Sequence, residues 1–570
     1  MDVNMKNKKE LTIELSSYII LFLIALIFRL VNLYLTPLSN SEALISLQAE
    51  NLVRSVEILK IAPHQILLVN LLGLLFTIFG SQTFFVRLIP ALAGALLVFL
   101  PYSFRNQIGK TAALVMAIWL SFDPLFYLLS RKVDSTLLSI GFLLIAYILF
   151  QRKKWVGLGI VFALGVLSGM QFFIGVILLL LTSWLSKVNL LTTPLDEKEK
   201  FPWKIVLTAF ISTLILVGTV FFIYPSQLGG AFSGFINLFI NVSAEPVLPL
   251  MNLFAGLFFY EVIVLVFGII GLIVYWKQNP LIGRFAGIWI GLALLFSVFY
   301  PARMISQLVW LILPLGYFAI WWILRVVNIN SKNEKLTGLF SAVLFVFLVY
   351  IVMLIFSMNV SGFQLLGVSI NSGVIGFIAI IIFIMAVVMI GWAWSWKIAN
   401  QSLLLAICFG FGILSVSAAW NLGGGRKPYH NELWHVGLIS PDTGLMLNSI
   451  NELAKINGVP NEEVQVYIQG IDSAAMIWAL RDYDVRSLPV LPASLDTDVI
   501  ITLYQNENQV YGPYRGQDYL LTSTPAWNLM TIGEWKNWIL TRHAPQDGIH
   551  QQAIIVWFNN QWFVSEPVQN

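Results

Sequence analysis

The sequence predicts a polytopic α-helical membrane protein that ends in a small α/β domain. Three observations carry this: an apolar composition, apolar runs that recur as far as about residue 420, and a reversal of charge beyond that point. Apolar residues make up 58% of the 570 and charged residues 11%, against about 25% charged in an ordinary soluble domain. With a mean hydropathy of +0.81 and 20 tryptophans, the chain is neither a soluble enzyme, a disordered polymer nor a disulfide scaffold. Its single cysteine, Cys408, lies in an apolar run and has no partner for a disulfide or a thiolate metal site. From Arg426 onward 8 Lys and Arg face 15 Asp and Glu, a net of −7, while the preceding part carries 25 basic and 14 acidic residues, a net of +11. That split fits membrane loops obeying the positive-inside rule, followed by an acidic extramembrane domain. The basic residues are scattered between apolar runs rather than clustered with aromatics, so nothing supports nucleic-acid binding.

In chain order, apolar runs fall at 16–35, 84–102, 111–129, 135–150, 155–186, 204–224, 251–275, 285–300, 304–324, 336–357, 372–394 and 401–420. A bilayer core takes about 20 helical residues. The run 155–186 is too long for one span, and Gly165, Gly169 and Gly175 offer turning points. Read as two short helices, it brings the expected count to 13. The run Ile66–Phe79 is decided by charge. If it does not cross and the N-terminus is cytoplasmic, then Arg105 and Lys110, Arg152 to Lys154, Lys187 to Lys204, Lys277 and Arg284, Arg325 to Lys335, and Lys397 all lie inside. It is therefore expected to lie in the outer interface. The N-terminal run lacks a small-residue cleavage site and reads as a retained span.

A transmembrane domain over 1–420 is thus expected, with a long first external loop at 36–83, a second at 225–250, and an extracytoplasmic domain over 421–570. In that domain Glu463–Ile468, Asp498–Leu503 and Ala553–Phe558 read as buried strands. Pro441–Ile456 and Asp472–Arg481 read as amphipathic helices starting near Asp442 and Asp472, and Asn421–Gly425 as a linker.

Several polar residues are not explained by the membrane. Glu50, Arg54 and Glu57 are spaced as an ion-paired helix face. Glu42 follows the first span at the start of a helical pattern, where a carboxylate either caps the helix or serves function. Arg131 and Asp134 are spaced to pair on one helical face, and Arg131 or Lys132 is a candidate phosphate contact because a guanidinium offers a bidentate fork. Arg29 and Arg87 lie toward the outer leaflet, where they can snorkel or join that contact. Glu261, about ten residues into a span, is expected ~15 Å deep, paired inside the bundle or functional. Asp123, before Pro124, reads as a cap. His430, His435, His543 and His550 show no zinc-ligand spacing and read as surface residues. No phosphate loop, His-Glu-x-x-His or serine-nucleophile motif occurs.

Over about 16–325 the chain resembles the GT-C superfamily of polyprenyl-phosphate-sugar glycosyltransferases. The likeness is to the protein mannosyltransferase and aminoarabinose transferase group, and most of all to the prokaryotic flippase activity-associated glycosyltransferase-like proteins. The residues that carry it are Phe28-Arg29-Leu30, the stretch from Pro37 to Glu42 and Ala43, the stretch from Leu75 through Arg87 to Gly94, Asp123-Pro124, and Ser130-Arg131 with Asp134. Weaker echoes are Tyr260-Glu261, Tyr300-Pro301 and Leu313-Pro314-Leu315.

The resemblance implies transfer of a sugar, with inversion, from a polyprenyl-phosphate donor to a protein, lipid or glycan acceptor at the outer face of the cell membrane. It implies Glu42 as base or acceptor-orienting group, and Arg131, Lys132 and Arg87 at the donor phosphate. Asp134 would orient Arg131, with Ser41, His64 and Glu261 in support. In the family the base is an Asp followed by Glu, and Ser41 stands at the Asp position here. His64-Gln65-Ile66 stands where close relatives have His-Gly-Pro, and Lys132-Val133 where a second Arg precedes the Asp. The alternative is therefore a catalytically degenerate scaffold or accessory in lipid-linked glycan export. A divalent metal belongs to some branches, but no ligand set stands out here. A secondary transporter fits less well, since no paired halves with interrupted helices are visible.

Overall fold

The computed structural model describes residues 2–54, 64–188, 201–240, 247–327, 334–357, 363–365, 368–370, 372–424, 432–435, 438–491, 497–504, 510, 512–542 and 550–563. Helices occupy all thirteen expected runs. Among the described residues seven are long and apolar enough to cross a bilayer, or ten if each of three bent helix pairs is one span. Thr136–Gln151 and Trp203–Gly218 are shorter apolar helices. The chain is a multi-span membrane protein.

The three bends have separate causes. Trp155–Ser168 and Met170–Ser186 meet at 119°, and the turn is made at Gly169, whose φ of +103° few residues with a side chain adopt. Lys110–Phe122 and Pro124–Ser130 meet at 57°. There Asp123 accepts the Phe126 N–H at 3.1 Å and Pro124 opens the next helix, so the cap expected at Asp123 is present. Leu250–Tyr260 and Val262–Gln278 meet at 80° around Glu261. Helical rise therefore cannot be counted down from Leu250, and the depth expected for Glu261 does not hold.

In the loop expected to be external, Asn40–Arg54 and Ile66–Phe79 are helices. The expected helix-face pair forms between Arg54 Nη2 and Glu50 Oε1 at 2.9 Å, while Glu57 lies outside the described residues. Helix Trp396–Leu422 continues through the first two residues of the expected linker.

The C-terminal domain is a five-stranded mixed sheet ordered Asp484–Leu488, Gln465–Gln469, Val499–Leu503, His550–Asn559, Tyr514–Thr524. The first three strands are parallel and the last two join antiparallel. Two strands and helix Ile532–Thr541 exceed the expectation. Tyr514–Thr524 is a sheet edge, exposed over its first half, and lacks the apolar run of a buried strand. The second expected helix is shorter, Ala474–Ala479, and Ser473 rather than Asp472 caps it, accepting the Met476 N–H at 3.2 Å.

The domain does not stand apart from the first loop. Leu47, Leu68 and Leu72 share one buried core with Val466, Ile501 and Val556. Asn40 Oδ1 accepts from Ser473 Oγ at 2.9 Å, and Arg481 Nε donates to the Ser81 carbonyl at 3.1 Å. Loop and domain therefore lie on the same side of the bundle.

Candidate active site at the end of the helical bundle

Helix Asn40–Arg54 begins with a reciprocal cap. The Ser39 N–H donates to Glu42 Oε2 at 2.9 Å and the Glu42 N–H donates to Ser39 Oγ at 3.4 Å. The same carboxylate takes three further groups. Arg87 donates from Nε to Oε1 at 3.2 Å and from Nη2 to Oε2 at 3.3 Å, Ser39 Oγ donates to Oε2 at 3.0 Å, and the Val133 N–H donates to Oε1 at 3.0 Å. Glu42 is 2% exposed. Burial by itself pushes its pKa up, but the Arg87 guanidinium, Lys132 and the Ser39 hydrogen bond outweigh burial and hold it below the usual carboxylate range.

Neither arginine of the expected cradle snorkels. Arg87 Nη1 donates to the carbonyls of Leu33 at 3.3 Å and Thr36 at 2.7 Å and to Thr36 Oγ1 at 2.5 Å, while Nη2 donates to the Pro37 carbonyl at 3.0 Å. Arg131 Nη1 donates to the carbonyls of Arg29 at 2.7 Å and Val31 at 2.6 Å, and Nη2 to that of Asn32 at 2.8 Å. Arg29 is fully buried as well, donating to the carbonyls of Ala25, Ser121 and Leu120. Arg87 and Arg131 tie down the chain leaving the first span, whose carbonyls lack helical partners, while Arg29 ties that span to the end of helix Lys110–Phe122.

The expected pairing of Asp134 with Arg131 is replaced. Asp134 Oδ1 accepts the Thr136 N–H at 3.0 Å and caps the following helix. Residues 131–135 are turn rather than helix, so a spacing of three does not put the two side chains on one face. Lys132 is half-buried, and no hydrogen bond or ion pair to a described residue engages its ammonium. Arg131 Nε likewise has no acceptor among the described residues.

Glu42, Arg87, Arg131 and Lys132, brought from three elements, line one hollow with Thr36 and Ser39. Its volume is about 40 Å³, enough for water and too small for a sugar. Leu422, Gly423, Trp434, His435 and Leu438 close it. This roof is anchored from below. Tyr260 Oη donates to Glu432 Oε2 at 2.5 Å, Asn252 Nδ2 donates to the Leu433 carbonyl at 2.8 Å, and Arg542 stands 3.6 Å from Glu432. Trp434 lies so close to Gly256 that a Cβ there would sit 2.0 Å from its Nε1.

His435 is thus a residue of the hollow rather than of the surface, its Nε2 2.7 Å from the Leu422 carbonyl. Only its neighbours Glu432 and Trp434, an acid and an indole beside a chain break in hydropathy, hinted at it. His430 and His543 lie outside the described residues. Ser41 is exposed at the helix start, 3.1 Å from Ser39 Oγ. His64 is half-buried ahead of helix Ile66–Phe79 and does not line the hollow. Its neighbour Gln65 accepts the Ser135 N–H at 2.9 Å.

Glu261 faces a different and larger cavity together with Asp123. Among the described residues no three His, Cys, Asp or Glu side chains gather as a metal site would require.

Residues 64–220 match the model of the dolichyl-phosphate-mannose-protein mannosyltransferase family. The fold is similar to that of ArnT from Cupriavidus metallidurans bound to undecaprenyl phosphate, at a TM-score of 0.52 and 12% identity over 82% of this chain and 85% of that one. The chain has a GT-C fold. The apo form of the same ArnT matches at a TM-score of 0.51 and 13% identity over 83% of this chain and 86% of that one. No curated protein matches the chain by sequence.

Proposed function

We propose that the chain is a membrane glycosyltransferase that takes a sugar from a polyprenyl-phosphate-linked donor at the outer face of the cell membrane. One observation carries the reading: the early loops bring Glu42, Arg87, Arg131 and Lys132 around a single hollow in which hydrogen-bond donors outnumber free acceptors. A leaving phosphate needs such donors, fixed in place before the charge develops. Lys132 and Arg131 Nε are the groups on hand for it. Arg87 is saturated and acts by holding Glu42. The match of residues 64–220 to the mannosyltransferase family, and the lipid phosphate bound by the similarly folded ArnT, support the same donor class. The cytoplasmic N-terminus and external C-terminal domain belong to this reading through the distribution of Lys and Arg.

With five hydrogen bonds on its two oxygens, Glu42 is a positioning residue. It joins the end of the first span, helix Thr83–Leu96 and the turn at Val133. The volume of the hollow implies that a sugar enters only when Trp434, His435 and Leu438 move aside.

A second reading, a catalytically degenerate GT-C scaffold in lipid-linked glycan export, is favoured by the same saturation of Glu42 and by Ser41 at the Asp position of the resemblance. The test is release of sugar from a purified polyprenyl-phosphate-linked donor. Turnover by the native chain that falls with Lys132→Ala supports the transferase. Binding without turnover, with turnover appearing in Ser41→Asp, favours the scaffold. A chain that neither binds nor cleaves the donor overturns both.

A further inference from the structure

A cavity of about 810 Å³ runs along the bundle, where Phe28, Trp119 and Trp420 face Ile320, Phe409 and Ile413. Its walls are mostly apolar, with Ser415 and Ser417 among them, and its acids lie where the two bent spans break. There Asp123 and Glu261, 2% and 1% exposed, stand within hydrogen-bond reach of each other. Each has one oxygen already taken: Asp123 Oδ1 by the Phe126 N–H at 3.1 Å and Glu261 Oε1 by the Leu125 N–H at 3.3 Å. The other two, Asp123 Oδ2 and Glu261 Oε2, have no N–H or O–H of the described residues in full hydrogen-bonding geometry, the Trp119 indole being the polar group beside Asp123. Among the described residues no Lys, Arg or His lines the cavity. Arg29, which acts electrostatically on Asp123, is outside its lining and donates to backbone carbonyls.

Two facing carboxyls in a dry site hold one proton between them, because both cannot ionise. The pair then carries one negative charge, which Arg29 offsets, and it still has lone pairs to offer. An acyl chain fits the walls. A phosphate head would meet acceptors and, among the described lining residues, no cation, while the positive charge of Arg29 near Asp123 disfavours an ammonium. A hydroxyl can donate to a lone pair that the shared proton leaves open, and asks for no counter-charge.

We propose that this groove binds a lipid with an uncharged, hydroxyl-bearing head, held by the Asp123–Glu261 pair, and that this lipid is the sugar acceptor. The acceptor role rests on the transferase reading above; the binding site does not. The sugar donor's phosphate belongs at the cationic hollow, so the two substrates are sorted by head-group charge.

The test is quenching of tryptophan fluorescence by brominated lipids in detergent micelles holding the full chain, since Trp119 and Trp420 line the groove. Brominated diacylglycerol is expected to quench at a mole fraction about ten-fold below that of brominated phosphatidate with the same acyl chains. Asp123→Asn with Glu261→Gln is expected to abolish that preference, and Lys132→Ala to leave it intact. Gly412→Phe provides a variant that spares the acids. Gly412 lines the groove with nothing within 4 Å of an added Cβ, so the ring is expected to fill the space and remove quenching by diacylglycerol. Equal or stronger quenching by phosphatidate overturns the proposal, as does a preference that survives the double substitution. Sugar release from the polyprenyl-phosphate donor, measured separately, distinguishes a wrong acceptor site from a chain that is no transferase.

Discussion

The small hollow and the large groove meet along helix Trp396–Leu422, whose Trp420 lines one and whose Leu422 lines the other, yet their electrostatics are opposite. Among the described residues the hollow is lined by Arg87, Arg131 and Lys132 with one carboxylate, and the groove by two carboxyls and no Lys or Arg. In the hollow the leftover groups are donors, Lys132 and Arg131 Nε. In the groove they are acceptors, Asp123 Oδ2 and Glu261 Oε2. An unpaired buried polar group is costly, so each deficit marks the chemistry that a ligand would bring. Acids also differ in role between the two places. Glu42 is a structural tie, whereas the Asp123–Glu261 pair retains capacity.

That difference predicts the largest effect. Glu42→Ala leaves the Arg87 guanidinium buried with two of its N–H groups unpaired, and loss of one partner from a buried pair costs about 3–5 kcal/mol. Unfolding in detergent followed by tryptophan fluorescence should show this. Glu261→Gln, which keeps the shape and an acceptor for the Leu125 N–H, should stay within about 1 kcal/mol of the native chain. A Glu42→Ala variant as stable as Glu261→Gln would break the contrast.

The roof separates the two cavities, and Gly256 is what lets Trp434 settle. A side chain at Gly256 must displace the indole ring from below. Gly256→Leu should cost about 1–3 kcal/mol through overpacking, and it should make a cysteine placed at Leu438 more reactive to a water-soluble maleimide by loosening the roof. Lys132→Ala, by contrast, removes a half-buried ammonium that no hydrogen bond or ion pair to a described residue engages, and should change stability by less than about 0.5 kcal/mol. Its effect should fall on affinity for a polyprenyl-phosphate-linked sugar, about ten-fold weaker by direct binding. A stable Lys132→Ala chain with native affinity would remove the phosphate from the hollow.

Much of this architecture is legible from hydropathy and charge alone. The apolar runs became helices because the bilayer admits little else, and Gly169 broke the overlong run because it alone carries the left-handed turn there. Charge counting kept Ile66–Phe79 on the same side as the C-terminal domain, and the two do share a core. The convergence of Glu42 and Arg131 on one hollow was legible for the same reason. Their partners were not. Arg87, Arg131 and Arg29 bind mainly backbone carbonyls, which carry no signature in the sequence, and the turn at 131–135 undoes the helical spacing that suggested an Arg131–Asp134 pair. The bend at Glu261 has neither glycine nor proline at the break, so nothing local announces it. His435 reaches the hollow because residues 432–435 pack against Leu422 and Asn252, a contact between segments that no local pattern announces.

The two acids nearest Lys132 should answer pH with opposite slopes, the smallest effect expected. Glu42 is held below its ordinary pKa, so the stability it lends is complete above that value and is lost as pH falls through the depressed one. Asp134 is pushed up, chiefly by burial, with Lys132 and the Thr136 hydrogen bonds opposing and the Glu42 charge adding to the rise. Its contribution is therefore complete below the ordinary aspartate value and is lost as pH rises through the raised one. Compared with Asp134→Asn, the native chain should gain stability on acidification from neutral pH through the interval just above the ordinary aspartate pKa. Compared with Glu42→Gln, it should keep its full advantage from pH 7 to about pH 5 and begin to lose it only below the ordinary glutamate value. Denaturant midpoints for the three chains across that range measure both slopes. Slopes of the same sign would mean that Asp134 is screened by solvent rather than buried beside the hollow, and that the turn at 131–135 is looser than its hydrogen bonds to Glu42 and Thr136 imply.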